Sequence, residues 1–208
     1  MAPIPSSKLP GLKVLRDRAL AAIYRCQETQ SVDFKRSGGW DSLKWRIIET
    51  VLGMGNLRDG GVIVVGVAEE GDAWNLTGIA EEDLRSFDVD TVVDQVNSYV
   101  SPHVKLTLVT LEEAGHIFLV LEVQEFADTP LVCKKNGPAD SKLVEGGLYV
   151  RPPGLARTTR IMKAEQMHDL LELAAEKRAR RILEVGRRVG LVQQETADQK
   201  LDKELGGL

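Results

Sequence analysis

Residues 60–66 constrain the fold of this chain more than any other stretch. Gly60 and Gly61 lead into Val62, Ile63, Val64 and Val65, and Gly66 follows. β-branched side chains are stiff at χ1 and pack well on a pleated surface. A run of them with no polar alternation marks a strand covered on both faces. A buried strand is therefore expected over 62–67. Upstream, Val32 and Phe34 alternate with Asp33 and Lys35, the pattern of a half-buried strand. Between the two, Trp45, Ile48, Val51 and Leu52 recur at helical spacing, with Lys44, Arg46 and Glu49 among them. Asp41 is placed to cap a helix starting near Ser42, because its carboxylate can accept from free first-turn amides. Gly53, Gly55, Gly60 and Gly61 bracket the turn into the apolar strand. Residues 28–66 thus read as strand, helix, buried strand.

The remaining chain supplies partners for this unit. Three prolines within residues 1–10 suggest a disordered lead-in. Leu15, Ala19, Ala22 and Ile23 predict a first helix over 12–26. Residues 74–79 read as a paired strand. Val92, Val93, Val96 and Tyr99 define an amphipathic helix over 90–100, with Pro102 just past its end. Residues 106–111 and 117–123 flank Glu113-Ala114-Gly115 in a hairpin pattern. Two more strands are expected at 131–134 and 148–151, with Pro152-Pro153-Gly154 ending the sheet. Residues 163–189 predict one long helix whose apolar side is Met167, Leu170, Leu171, Ala174, Ala175, Ile182 and Val185. Its first half should cover the sheet. Its charged second half, from Lys177, should project or pair with a second copy. The tail from Gln193 is polar and expected to fray. The fold class is α/β (α+β): a single domain with a mixed β-sheet flanked by helices and a long C-terminal helix.

Charge is uneven. The 208 residues carry a net −4, so the molecule as a whole is not a basic nucleic-acid binder. Nine acids stand against Arg85 over 69–95, whereas ten bases stand against five acids over 151–188. Such asymmetry permits an anion-binding face on an acidic protein. Cys26 and Cys133 lie far apart, and no Cys-x-x-Cys or clustered histidine occurs. Reduced thiols are expected, and no zinc site. His103, His116 and His168 are isolated. No apolar run approaches the ~20 residues needed to span a bilayer, and Lys8, Lys13, Arg16, Asp17 and Arg18 interrupt any signal-like apolar core. A cytoplasmic protein with no membrane partner is the expectation.

The glycine corner is not a nucleotide loop, since no lysine follows Gly60-Gly61 and Arg58 replaces a Gly-x-Gly-x-x-Gly glycine. The ordered set Glu28, Asp33-Phe34-Lys35, Asn56, Gly60-Gly61 and Gly66-Val67, with Tyr149-Val150-Arg151 later, resembles the Schlafen AlbA-type domain, a nucleic-acid-binding module. The likeness runs over about residues 20–175 and places the domain at 11–175, with 176–208 as helix extension and tail. Two departures stand out. Leu57-Arg58-Asp59 separate Asn56 from the glycine pair where the family has one residue. Ala68 stands where the family has an acid, with Glu69 next.

Two acids and a lysine at a strand start can hold a divalent cation over a phosphate, because hard cations take carboxylate oxygens. The resemblance implies Mg²⁺ or Mn²⁺ on Glu28, Asp33 and, if the strand breaks at Gly66, Glu69. Glu28, Asp33 and Lys35 would then be catalytic, and the protein an endoribonuclease cutting structured, transfer-RNA-like substrates. In the other reading the protein only binds nucleic acid, RNA slightly favoured over DNA. Arg151, Arg157, Arg160 and Lys163, continued by Arg178 and Arg181, are the candidate phosphate contacts. A third reading makes the long helix a homodimer interface with no nucleic-acid role.

Overall fold

The computed structural model describes residues 10–191 except Asp72. In chain order the elements are α1 (Pro10–Arg25), β1 (Val32–Lys35), α2 (Trp40–Gly55), β2 (Gly61–Val65), β3 (Val67–Glu70), β4 (Ala73–Leu76), α3 (Glu81–Arg85), α4 (Val89–Tyr99), β5 (Val100–Ser101), β6 (Leu106–Glu113), β7 (His116–Val123), β8 (Val132–Cys133), β9 (Tyr149–Val150), β10 (Thr159–Arg160) and α5 (Ala164–Arg188). Four strands form the central sheet in the order β1-β2-β7-β6. β1 runs parallel to β2, and the other two pairings are antiparallel. The mixed sheet with flanking helices matches the expected class. β3 with β4, β5 with β8, and β9 with β10 form two-stranded ribbons beside it. The lead-in over 1–9 and the tail from Gln193 lie outside the described residues. Pro10, assigned to that lead-in, opens α1, where its missing N–H is no loss.

Burial of β2 explains its unbroken apolar run. Ile63 and Val65 pack with Ile47, Ile48, Leu121 and Leu170 on one side, under α2, α4 and α5. Val62 and Val64 pack with Leu15, Ala19, Ile23 and Phe118 on the other, under α1. Along β1 the same alternation is half polar. Val32 and Phe34 enter the α1 side. Asp33 and Lys35 stand in register with Ile63 and Val65, so they face the α2 side.

Several local expectations need correction. α2 starts at Trp40, with Gly39 as N-cap and no side-chain cap bond. Asp41 pairs instead with Lys44 at 2.7 Å. A tertiary contact sets the start: the Trp40 N–H donates to Ser86 Oγ at 2.8 Å and the ring meets Phe87 edge-on. The apolar strand ends at Val65, because Gly66 takes φ +115° and re-aims the chain into β3. A Cβ at Gly66 would lie 2.7 Å from the Gly78 carbonyl carbon. The 131–134 and 148–151 strands shrink to β8 and β9, and Val132 of β8 bridges Leu148, the residue just before β9. The Pro152-Pro153 turn does not end pairing, since β10 returns to β9. Cys26 is half-buried and Cys133 buried, and both are free thiols.

The end of α2 is held by Asn56. Its side chain accepts from the Leu131 N–H at 2.7 Å and donates to the Leu131 and Tyr149 carbonyls, each at 2.9 Å. α5 begins as expected, but Leu170 and Leu173 enter the core while Leu171 is 55% exposed. The body supports α5 farther than Lys177. Lys177 pairs with Glu125, Glu176 with Arg58, and Arg181 with Asp128 at 2.8 Å. Beyond Arg181, Ile182, Val185 and Val189 are exposed. Among the described residues no helix is long and apolar enough to cross a membrane.

Candidate functional site

β1 presents Asp33 to the α2 side, where an ionised carboxylate is costly unless paired. Asp33 is 5% exposed, and both its oxygens are engaged. Arg151 donates to Oδ1 at 3.0 Å, and Lys35 pairs with Oδ2. Arg151, delivered by the chain leaving β9, also donates to the carbonyls of Thr29, Val32 and Ala156 at 3.0, 3.3 and 2.8 Å. Its guanidinium is sealed in the interior. The expectation that Arg151 contacts phosphate is therefore corrected: it ties the Asp33 strand to the segment after β9. A carboxylate buried on a strand needs a buried cation, and Arg151 meets that need.

Glu28 and Lys35 border an open cleft of about 600 Å³ with Asp33 at its base. Glu28 is half-buried, and its Oε1 accepts from the Phe34 N–H at 2.7 Å. Burial pushes its carboxyl above the usual range, partly offset by that hydrogen bond; nearby Asp33 adds to the rise, while Lys35 and Arg151 oppose it. The polar face of α2 forms one wall through Ser42, Trp45, Arg46 and Glu49, which recur three and four residues apart. Lys142 and Arg157 stand on the loops that complete the rim. In the sequence Glu49 is only a polar position in a helix. The structure makes it a site residue: half-buried, with a carboxyl pushed up by burial and pulled down by Lys142 and Lys35. Its spacing from Ser42 and Arg46 was visible in the sequence, but the loops that enclose it were not.

The family resemblance implies a divalent cation here, and the donor set does not suit one. Asp33 already serves two cations, and Glu28 serves a backbone amide. Ala68 offers no donor. The strand does break at Gly66, yet Glu69 is exposed on β3 and borders a separate hollow of about 420 Å³. Glu28 and Lys35 line both hollows, whereas Asp33 lines only the first and Glu69 only the second. The three carboxylates do not meet in one hollow. Among the described residues no three His, Cys, Asp or Glu side chains form a group that could hold a metal ion.

The basic residues after β9 divide into two kinds. Arg157, Arg160 and Lys163 are exposed and make no ion pair among the described residues. Arg178 is exposed on α5, and Arg181 keeps most of its side chain in solvent while pairing with Asp128. Arg157 alone of these lines the cleft.

Residues 28–154 match the family model described as Schlafen, AlbA_2. The match covers more than half of the chain, and the protein belongs to this family. A solved structure, the DIP2311 protein from Corynebacterium diphtheriae, is similar with a TM-score of 0.51 and 15% identity. That likeness covers 77% of this chain and 28% of the other, so the chain spans little more than a quarter of that protein. The N-terminal domain of a RecG-related protein from Nitrosomonas europaea is similar at 21% identity and a TM-score of 0.44, over 72% of this chain and 95% of that one. No curated protein matches the chain.

Proposed function

We propose that this protein binds nucleic acid, RNA slightly favoured over DNA, with phosphates on Arg157, Arg160 and Lys163 and further contacts from Arg178 and Arg181. The observation that carries this reading is the exposed state of the first three bases, with no ion pair among the described residues and with Arg157 on the rim of the cleft, in a chain of net −4. Guanidinium and ammonium groups left in solvent near one another suit phosphate oxygens and release counterions on binding. A cleft rather than a protruding reading helix favours unstacked RNA over duplex DNA. Family membership supports the same reading. A cytoplasmic setting fits the two free thiols.

The test is a filter-binding titration with transfer RNA, messenger-like RNA and duplex DNA, each with Mn²⁺ and with EDTA. Binding that weakens steeply with salt, and weakens further in an Arg157→Ala/Arg160→Ala variant, supports the proposal; unchanged affinity in the folded variant overturns it. Metal-dependent cleavage lost in Glu28→Gln would instead favour the endoribonuclease reading, which requires Asp33 to be released from Arg151 and Lys35.

We also propose that the chain forms a homodimer through α5. Leu171, Ala175, Ile182, Val185 and Val189 are all exposed, and with Arg178 they follow an alternating four-three spacing. That seam is what one helix offers another, and the occupant that carries the same seam is α5 of a second copy. Arg178 stands within that spacing, where its stem can lie along the seam while its guanidinium stays in solvent and remains free for phosphate. Sedimentation equilibrium should give twice the chain mass for the parent and the single chain mass for Ile182→Lys/Val185→Lys. A monomeric parent at micromolar concentration overturns the dimer.

A further inference from the structure

The cleft at β1 and α2 is mixed in charge, which a simple phosphate site would not be. Glu28, Asp33, Glu49 and Asp140 line it together with Lys35, Arg46, Lys142 and Arg157. Three of the four acids have evident roles or settings. Asp33 is bonded to Arg151 and Lys35. Glu28 holds the Phe34 N–H. Asp140 is exposed on the rim and stays hydrated. Glu49 is the exception. It is half-buried on the α2 wall and makes no hydrogen bond or ion pair among the described residues. Lys142 is near enough to act on it through space, yet the two form no ion pair.

A half-buried carboxylate that faces a cleft with no protein donor on it is free to accept from a ligand that displaces its water. Its two oxygens match two parallel N–H groups best, as the fork geometry of carboxylate recognition shows. Among nucleobases guanine offers such a pair on its Watson–Crick edge, N1–H beside N2–H. Adenine and cytosine offer an exocyclic amino group beside a ring acceptor, and uracil offers one N–H between two carbonyls. The other walls suit the rest of a nucleotide. Trp45, one turn before Glu49 on the same wall, supplies aromatic surface, and Arg157 and Lys142 supply phosphate donors. A volume of about 600 Å³ lies within the roughly 300–1,000 Å³ range of small-ligand sites.

We infer that the cleft receives one unstacked guanine nucleotide of a bound RNA and that Glu49 reads its Watson–Crick edge. This rests on the proposed RNA-binding function and adds base selectivity to it. Single-stranded RNA is commonly recognised this way, with the base stacked on an aromatic group and bonded at its edge.

The experiment uses the full chain and four probes, GMP, AMP, CMP and UMP, by direct calorimetry and as competitors against a labelled single-stranded RNA. GMP should bind and compete at least about tenfold better than the other three, the discrimination expected of a bidentate pair. In Glu49→Gln the amide opposes an N–H with an N–H₂, so the GMP preference should fall to near parity. Far-ultraviolet circular dichroism confirms that the variant is folded. RNA binding by the parent with no preference for GMP, or a preference that survives Glu49→Gln, overturns this inference and leaves the proposed function standing. Absence of any RNA binding by the parent overturns both.

Discussion

Arg151 and Arg157 stand one short loop apart and do opposite things. Arg151 is sealed under the surface, bonded to Asp33 and to three backbone carbonyls. Arg157 is exposed at the mouth of the cleft and makes no ion pair among the described residues. The side chains are chemically identical, so the difference lies in what surrounds them. A guanidinium that has a buried carboxylate to neutralise becomes part of the fold. One left in solvent beside a cleft remains available to a ligand. Counting bases in a sequence window merges the two kinds.

Stability separates them most sharply. Arg151→Ala leaves Asp33 buried with Lys35 as its remaining cation and takes a donor from three carbonyls, of which those of Thr29 and Val32 keep a backbone partner. Loss of one partner of a buried pair typically costs about 3–5 kcal/mol, whereas Arg157→Ala should stay within about 0.5 kcal/mol of the parent. Urea unfolding of both variants checks this. Equal destabilisation by the two would break the comparison.

Binding should separate them in the opposite sense. Removing Arg157 and Arg160 together should weaken RNA binding about tenfold or more across sequences and lower the slope of log affinity against log salt by about 1.4, the value for two phosphate contacts on a single strand. A salt series read by filter binding gives both quantities. An unchanged slope would mean that these arginines do not touch phosphate.

The smallest effect concerns the carboxylate on the facing wall. Burial raises the Glu49 carboxyl above its ordinary range, against the pull of Lys142 and Lys35 and with Asp33 adding to the rise. The folded state therefore holds its proton to higher pH than the unfolded state, and stability declines as pH climbs through that window. Glu49→Gln removes this decline. The variant should show a slightly higher urea midpoint than the parent at pH 7, a difference that vanishes below the ordinary glutamate range of about pH 4. A midpoint that drops at pH 7 would mean that Glu49 is held by a partner that stabilises its charge.

Much of this protein was legible in its residue order. The β-branched run at 62–65 demanded cover on two sides, and α1 and α2 provide it. The alternation at 32–35, the hairpin at Ala114-Gly115 and the long C-terminal helix also follow from local spacing and turn chemistry. The fold class and the family signature come from such short-range signals. The roles within the signature do not. Asn56 is a family position in the sequence and a clamp between α2 and the β8–β9 region in the structure. Leu171 and Leu173 are equally apolar, yet only Leu173 turns inward, because α5 docks on the core through Leu170 and Leu173, and Lys177 and Arg181 on the same side then meet Glu125 and Asp128.

The cleft depends on tertiary structure most of all. Asp33 and Arg151 lie far apart in sequence, and no local rule says that one consumes the other. Glu49 is one polar residue among several on a helix until loops carrying Lys142 and Arg157 close over it. The chain's own order determines which elements form and which faces are apolar, since backbone preference and periodicity act over a few residues. Which charged groups are neutralised inside and which remain for a ligand is decided only by packing, because desolvation and pairing depend on neighbours that the chain brings together from a distance.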